Sequence, residues 1–299
     1  MSNGSSGNLD EQPARPDQPP FPTEDNIYAI ADWAELTVLS TGNEISKGKL
    51  ETACSRSDIV GKTTPQDAWA EITRRGSVTG SAWPFEIIDD VVLRPRLNGG
   101  FPLLYWFLAA LSMRVGIENQ GRILFESCVA EIVEGLTRIP GIRIGFPRVS
   151  PVPSDLTEAV KLYCERSCEP EGFSKSFPAT DRDLGIDVVS WFPFRDKRGA
   201  FVHLVGQCAT GADWKEKLPE LNPHKWTDHL NWAVPPVRFF ATPIVLRKEA
   251  NRRLSMDGGL LLDRPRLLEL AEMKPLGDGL RSELKSYCFS LYSEAAADI

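Results

Sequence analysis

Apolar residues recur along this chain with two different periods. Between Asp25 and Leu39, the residues Ile27, Ile30, Ala31, Ala34 and Val38 fall at i, i+3, i+4, i+7 and i+11, one face of a helix. Phe125, Val129, Ile132 and Leu136 draw a second such stripe and predict the clearest helix, Arg122 to Arg138, ended by Pro140-Gly141. Thr64-Pro65 opens another helix, with Thr64 as its cap and Pro65 at its first position, running to about Arg75. Pro102 to Val115 reads as a buried helix after the Gly99-Gly100 break. Further helices are expected over 155–166 (capped by Ser154), 213–218, 266–273 and 280–296. Phe85 to Leu93 is apolar but fits either period.

The strand-like period is concentrated later. Branched and aromatic residues fill Ile186 to Phe192 and Ala200 to Cys208, separated by the polar turn Arg195 to Gly199, which predicts a hairpin. Symmetric folding about Lys197 sets Asp187 opposite Gln207. Side chains alternate along a strand, so Asp187, Val189 and Trp191 share a face with Gln207, Val205, His203 and Phe201. Opposed Cβ atoms on one face stand about 4.5–5.5 Å apart. An acid and an amide thus converge at the open end of the hairpin, a pairing suited to a hard cation that takes oxygen ligands. Ile142 to Phe146 and Leu260 to Leu262 read as further strands. Val237 to Leu246 does too, with Pro243 pointing to an edge position.

Composition narrows the function classes. The chain has 299 residues, 42% of them hydrophobic and 25% charged, which is globular, and Met1 to Glu24 is a polar, Pro/Gly/Ser-rich stretch expected to be disordered. The net charge of −7 excludes a global basic footprint for nucleic acid, leaving local patches at Arg138 to Arg148 and Arg238 to Arg253. Six cysteines lack close paired spacing. Cys164 and Cys168, with His224 and His229 far downstream, do not make a zinc pattern, so reduced, buried thiols of a cytosolic protein are expected. Leu103 to Leu111 is the most apolar run and is too short to span a bilayer. No signal peptide is evident, so a cytoplasmic protein without membrane attachment is expected.

Three segments carry chemistry in a definite order. They are Phe125-Glu126 on the helix with Val129, Ile132 and Leu136; the turn Asp183-Leu184-Gly185-Ile186-Asp187; and the strand ending Val205-Gly206-Gln207-Cys208-Ala209. A late strand, turn and helix comes after them, Leu260 to Leu270 with Asp263 at the turn. This succession, from about Gly121 to Met273, resembles the restriction-endonuclease-like nucleases, the PD-(D/E)XK superfamily, and most closely its Mrr-like branch.

The resemblance implies an α/β fold with a restriction-endonuclease-like central mixed sheet flanked by helices, over residues 116–299. It leaves 25–115 as an N-terminal helical subdomain for targeting or partner docking. It implies that Glu126 and Asp187 help bind Mg²⁺ (or Mn²⁺), that Gln207 stands where an acid is more common, and that DNA is hydrolysed by metal-activated water. The setting implied is bacterial restriction or anti-phage defence, with a partner protein of a defence complex or a second copy of the chain in a homodimer as further partners. The family's lysine would fall at position 209, where this chain has Ala209. Lys215, beside Trp214, is the expected replacement, with Lys217 as the alternative. The competing reading is a nuclease-fold subunit without activity that binds nucleic acid or scaffolds a complex. For Glu126 the bland alternative is an i,i+4 ion pair with Arg122.

Overall fold

The computed structural model describes residues 19–23, 26–56, 64–96, 102–114 and 119–293. Its elements run in order α1 (Ile27–Thr41), β1 (Ile45–Ser46), α2 (Lys47–Arg56), α3 (Pro65–Thr79), β2 (Phe85–Ile88), β3 (Val92–Pro95), α4 (Leu103–Ser112), α5 (Asn119–Ile132) and α6 (Glu134–Thr137). Next come β4 (Ile142–Arg143), α7 (Leu156–Arg166), β5 (Val188–Trp191), β6 (His203–Cys208), α8 (Trp214–Lys217), β7 (Val237–Ala241), α9 (Lys248–Gly258), β8 (Leu260–Leu262), α10 (Arg264–Met273) and α11 (Asp278–Ser293). The class is α/β.

The main sheet has the order β4-β5-β6-β7-β8, antiparallel through β6 and parallel from β6 to β8. The alternation read from the sequence sorts its two faces. Val188, Leu204, Cys208, Phe239 and Leu262 join one core with α1, α4, α5, α10 and α11. Val189, Trp191 and Val205 face α7 and Trp226 on the other side. On that same side Phe240 and Leu261 pack with Trp214, Leu218 and Leu254 from α8, the turn after it and α9. The sheet is therefore a middle layer between two helical layers, which is how a sheet apolar on both faces becomes buried.

The ambiguous run at Phe85 resolves into strands. β2 and β3 form a hairpin, and β3 also pairs with β1, giving a second, three-stranded antiparallel sheet inside the N-terminal region. That region is thus helical with a small sheet. It shares one hydrophobic core with α5, α10 and α11. It also shares a buried charge cluster, in which Arg264 at the start of α10 lies 2.7 Å from Asp32 of α1, and Arg75 of α3 lies 2.8 Å from both Asp32 and Glu35.

Several boundaries depart from expectation for identifiable reasons. Thr64 caps α3 as read, in a reciprocal box with Asp67, and the helix continues a turn further, to Thr79. The cap of α7 is Asp155, whose carboxylate accepts from the Glu158 amide at 3.0 Å; Ser154 stands one residue too early. The long helix at 122–138 is interrupted after Ile132 and resumes as α6. β7 lies between β6 and β8, so the edge position inferred from Pro243 is overturned: the strand ends at Ala241, before the proline can remove a ladder donor. The expected disordered stretch lies mostly outside the described residues. Its described part packs, with Phe21 edge-on to Trp33 at 4.7 Å and the Trp33 indole donating to Pro19 O. Gly99-Gly100 also lies outside them. Among the described residues no helix is long and apolar enough to cross a membrane.

Candidate functional site

The hairpin adopts the register that symmetry about Lys197 requires. Val188 pairs with Gly206, Val189 with Val205 and Trp191 with His203; the ladder ends there, and the Asp187 amide donates to Gly206 O at 2.8 Å. On the other side of β5, Arg143 pairs with Val188. The ladder then bulges, because the amides of both Ile144 and Gly145 donate to Asp187 O, at 2.7 and 3.0 Å. Two residues against one kink the strand and re-aim the side chains beyond the bulge.

Gly145 falls at that kink, and the absence of its side chain makes room for the acids. A Cβ built on Gly145 would collide with Glu126 Oε2 and lie 3.0 Å from Asp187 Oδ1. Both carboxylates therefore reach one methyl-sized position. Glu126 arrives from α5, whose neighbouring Phe125, Cys128 and Val129 anchor the helix in the core. Its own side chain is 1% exposed.

Burial governs the electrostatics. It pushes the Glu126 carboxyl up to about 6, against the pull of Arg143 and Arg122. It raises Asp187 well above the ordinary carboxylate range, helped by the charge of Glu126 and opposed by a 2.7 Å hydrogen bond from the Cys208 amide to Oδ2. Asp183 adds negative potential to both. Two carboxyls each raised by burial are a pair that a cation would stabilise.

The polar atoms here are incompletely matched. Arg143 Nη2 approaches Glu126 Oε2 to 2.7 Å, and Arg122 Nη1 lies 4.0 Å from Oε1. The short approach is electrostatic and misaligned: neither Glu126 oxygen has a hydrogen-bond partner, nor do Arg143 Nε and Nη2. Buried groups left in this state are few in folded proteins and each calls for a cause. Gln207 Oε1 is in the same condition, while its amide nitrogen donates to Glu220 at 3.1 Å.

The four residues singled out from sequence thus divide. Glu126 and Asp187 come together. Gln207 lies on β6 one residue beyond the last pair with β5, with its nitrogen turned to Glu220. Lys215 is exposed with its ammonium over its neighbour Trp214, 5.6 Å from the ring centroid, so the anticipated stacking on Trp214 occurs. Ala209 is buried against Trp214 and Phe240. The cations at the acids are Arg143 and Arg122. Arg143 was missed because a charged residue between Ile142 and Ile144 on a short strand reads as one turned to solvent; it is 6% exposed. The bland partner Arg122 is present, at the longer of the two distances.

As a donor set, the two carboxylates suit Mg²⁺, which keeps several waters and needs only one or two carboxylates. No group of three or more His, Cys, Asp or Glu placed to hold a metal occurs among the described residues, and Cys128, Cys164, Cys168, Cys208 and Cys288 are free thiols. Gly145→Ala tests the convergence. The added methyl must displace Glu126 or Asp187, and Mn²⁺ affinity by calorimetry should fall about 10- to 100-fold, the scale of disturbing ligand placement. Comparison with protein-family models, with curated proteins and with solved structures gives no match.

Proposed function

We propose that this chain is a metal-dependent phosphodiesterase acting on DNA, with a restriction-endonuclease-like arrangement of its mixed sheet, in a restriction or anti-phage setting. The observation that carries the reading is the meeting of Glu126 and Asp187 at Gly145, with the Glu126 oxygens buried and lacking hydrogen-bond partners. The order of α5, β4, the Asp183 turn, β5 and β6 supports it.

Glu126 and Asp187 would hold Mg²⁺ or Mn²⁺, with Gln207 Oε1 as a further oxygen donor. The bound ion supplies a lowered pKa for water and charge stabilisation at a phosphodiester. Asp187 is kept in place by the Cys208 amide, and the main chain of Gly145 leaves the space open. Arg143 offsets the negative potential of the pair through Nη2, 2.7 Å from Glu126, and its Nε–H is the donor left for a phosphate oxygen. It fills the part assigned by resemblance to the lysine absent at 209.

The test is supercoiled plasmid incubated with Mg²⁺ and with EDTA. Nicking that EDTA stops is the expected result. Arg143→Gln should then reduce nicking about 100-fold, the scale of removing one charge-stabilising donor, while Lys215→Ala leaves it near wild type. Equal losses in both variants would contradict this division of roles. A second reading, an inactive subunit that binds nucleic acid, is favoured by Ala209 in the core and Lys215 at the surface. DNA binding without nicking at any divalent ion would select it.

A further inference from the structure

The residue after Gly145 is an aromatic ring displayed beside the acid pair. Phe146 is 40% exposed, unusual for a residue adjoining a buried site. Its main chain is fastened on both sides: its amide donates to Asp183 Oδ2 at 3.3 Å, and its carbonyl accepts from Arg122 Nη2 at 2.9 Å. The ring is therefore held in position by the same groups that surround Glu126 and Asp187.

Two guanidiniums lie over the ring, Arg182 at 5.4 Å and Arg148 at 6.0 Å from its centroid. Arg148 is committed: it donates to Arg182 O at 2.9 and 2.6 Å and to Ile144 O at 3.2 Å. Arg182 is exposed and forms no ion pair among the described residues, so its side chain can leave the ring. With Arg122, this makes an aromatic face collared by cations within a chain of net charge −7. An exposed ring interleaved with arginines is the arrangement that binds single-stranded nucleic acid, the ring stacking on a base and the guanidiniums meeting phosphates. A duplex does not offer a free base face.

We propose that Phe146 is a stacking platform for an unpaired base, so that the substrate is single-stranded or locally opened nucleic acid, with Arg182 moving from the ring to a backbone phosphate. This deepens the phosphodiesterase reading and rests on it for the word substrate; the binding itself does not need hydrolysis.

The experiment uses the full chain in EDTA, where metal-dependent cleavage cannot occur, and a single-stranded oligonucleotide carrying 2-aminopurine. Wild type should quench the probe on binding and prefer the single strand to a blunt duplex of the same sequence. Phe146→Ala should lose the quench and weaken single-strand affinity about 5- to 150-fold, the range for removing one stacked ring. Phe146→Trp should restore both, which a merely structural role would not require. Arg182→Gln should lower the salt slope by about 0.7, one phosphate on a single strand. Unchanged affinity and quench in Phe146→Ala, or a preference for the duplex, would overturn the proposal. Plasmid nicking by wild type alongside that outcome leaves the phosphodiesterase reading standing. Loss of quench in Phe146→Ala with no nicking by wild type removes the phosphodiesterase reading and keeps the platform.

Discussion

Asp187→Ala should reduce metal-dependent nicking of plasmid DNA by at least about 100- to 1000-fold. A bound divalent ion supplies several kcal/mol of charge stabilisation, and each 1.36 kcal/mol is tenfold in rate. Asp187 is one of the two carboxylates nearest Gly145, and its Oδ2 is already fixed by the Cys208 amide. Removing it leaves Glu126 facing Arg143, 2.7 Å away, and Arg122, 4.0 Å away, with no surplus negative charge to attract the ion. The fold should tolerate the change, because a carboxyl raised this far by burial opposes folding when ionised. Thermal unfolding measured in parallel separates the two effects. Nicking at the wild-type rate by a folded Asp187→Ala protein would remove the proposed chemistry.

Arg75→Met should have the largest effect on stability. Its guanidinium reaches the buried Asp32 and Glu35 at 2.8 Å, the buried Glu71 at 3.1 Å and the half-buried Tyr28 O at 3.0 Å. Breaking a buried ion pair from one side costs about 3–5 kcal/mol, because the remaining charges stay desolvated. In a chain of this size that lowers Tm by roughly 6–20 °C. Arg264 alone cannot compensate: it contacts Asp32 and Glu35 and lies beyond Glu71. The cluster also sets an acid limit. Burial acts to raise Asp32 and Glu71, yet the arginines hold both below their ordinary values of 3.8 and 4.5. Their contribution is full above those values and is lost as the pH falls through the lower folded ones. Glu35 has the opposite sign, since burial outweighs its arginines there. A Tm within 2 °C of wild type in Arg75→Met would show that the cluster is not what joins α1, α3 and α10.

The parts of this structure legible in the sequence are those set by local rules. The helix over Ile27 to Val38, the Thr64 cap and the alternation through β5 and β6 are short-range, and the folded chain keeps them, although α1 is buried all round from Ile30 to Ser40 rather than on one face. The hairpin register came from where the turn lies, because each step along one strand is matched by a step along the other. What escaped was set by long-range contacts. Arg143 looks like a surface charge until β4 is laid against β5 and α5 is placed over it. Asp32, Glu35, Glu71, Arg75 and Arg264 sit at helix positions that could equally face water, and nothing local says that five charges from three helices will meet. Lys215 shows the converse. Its closeness in sequence to Gln207 suggested reach, whereas the folded chain keeps its side chain exposed over Trp214 while Ala209 and Trp214 pack in a core.

The central claim is that Glu126 and Asp187 jointly hold one divalent ion, and Mn²⁺ titration followed by electron paramagnetic resonance tests it without reference to activity. Wild type should bind one Mn²⁺ that Mg²⁺ displaces, and both Glu126→Gln and Asp187→Asn should lose that ion while remaining folded. Mn²⁺ bound equally by wild type and both variants would contradict the account.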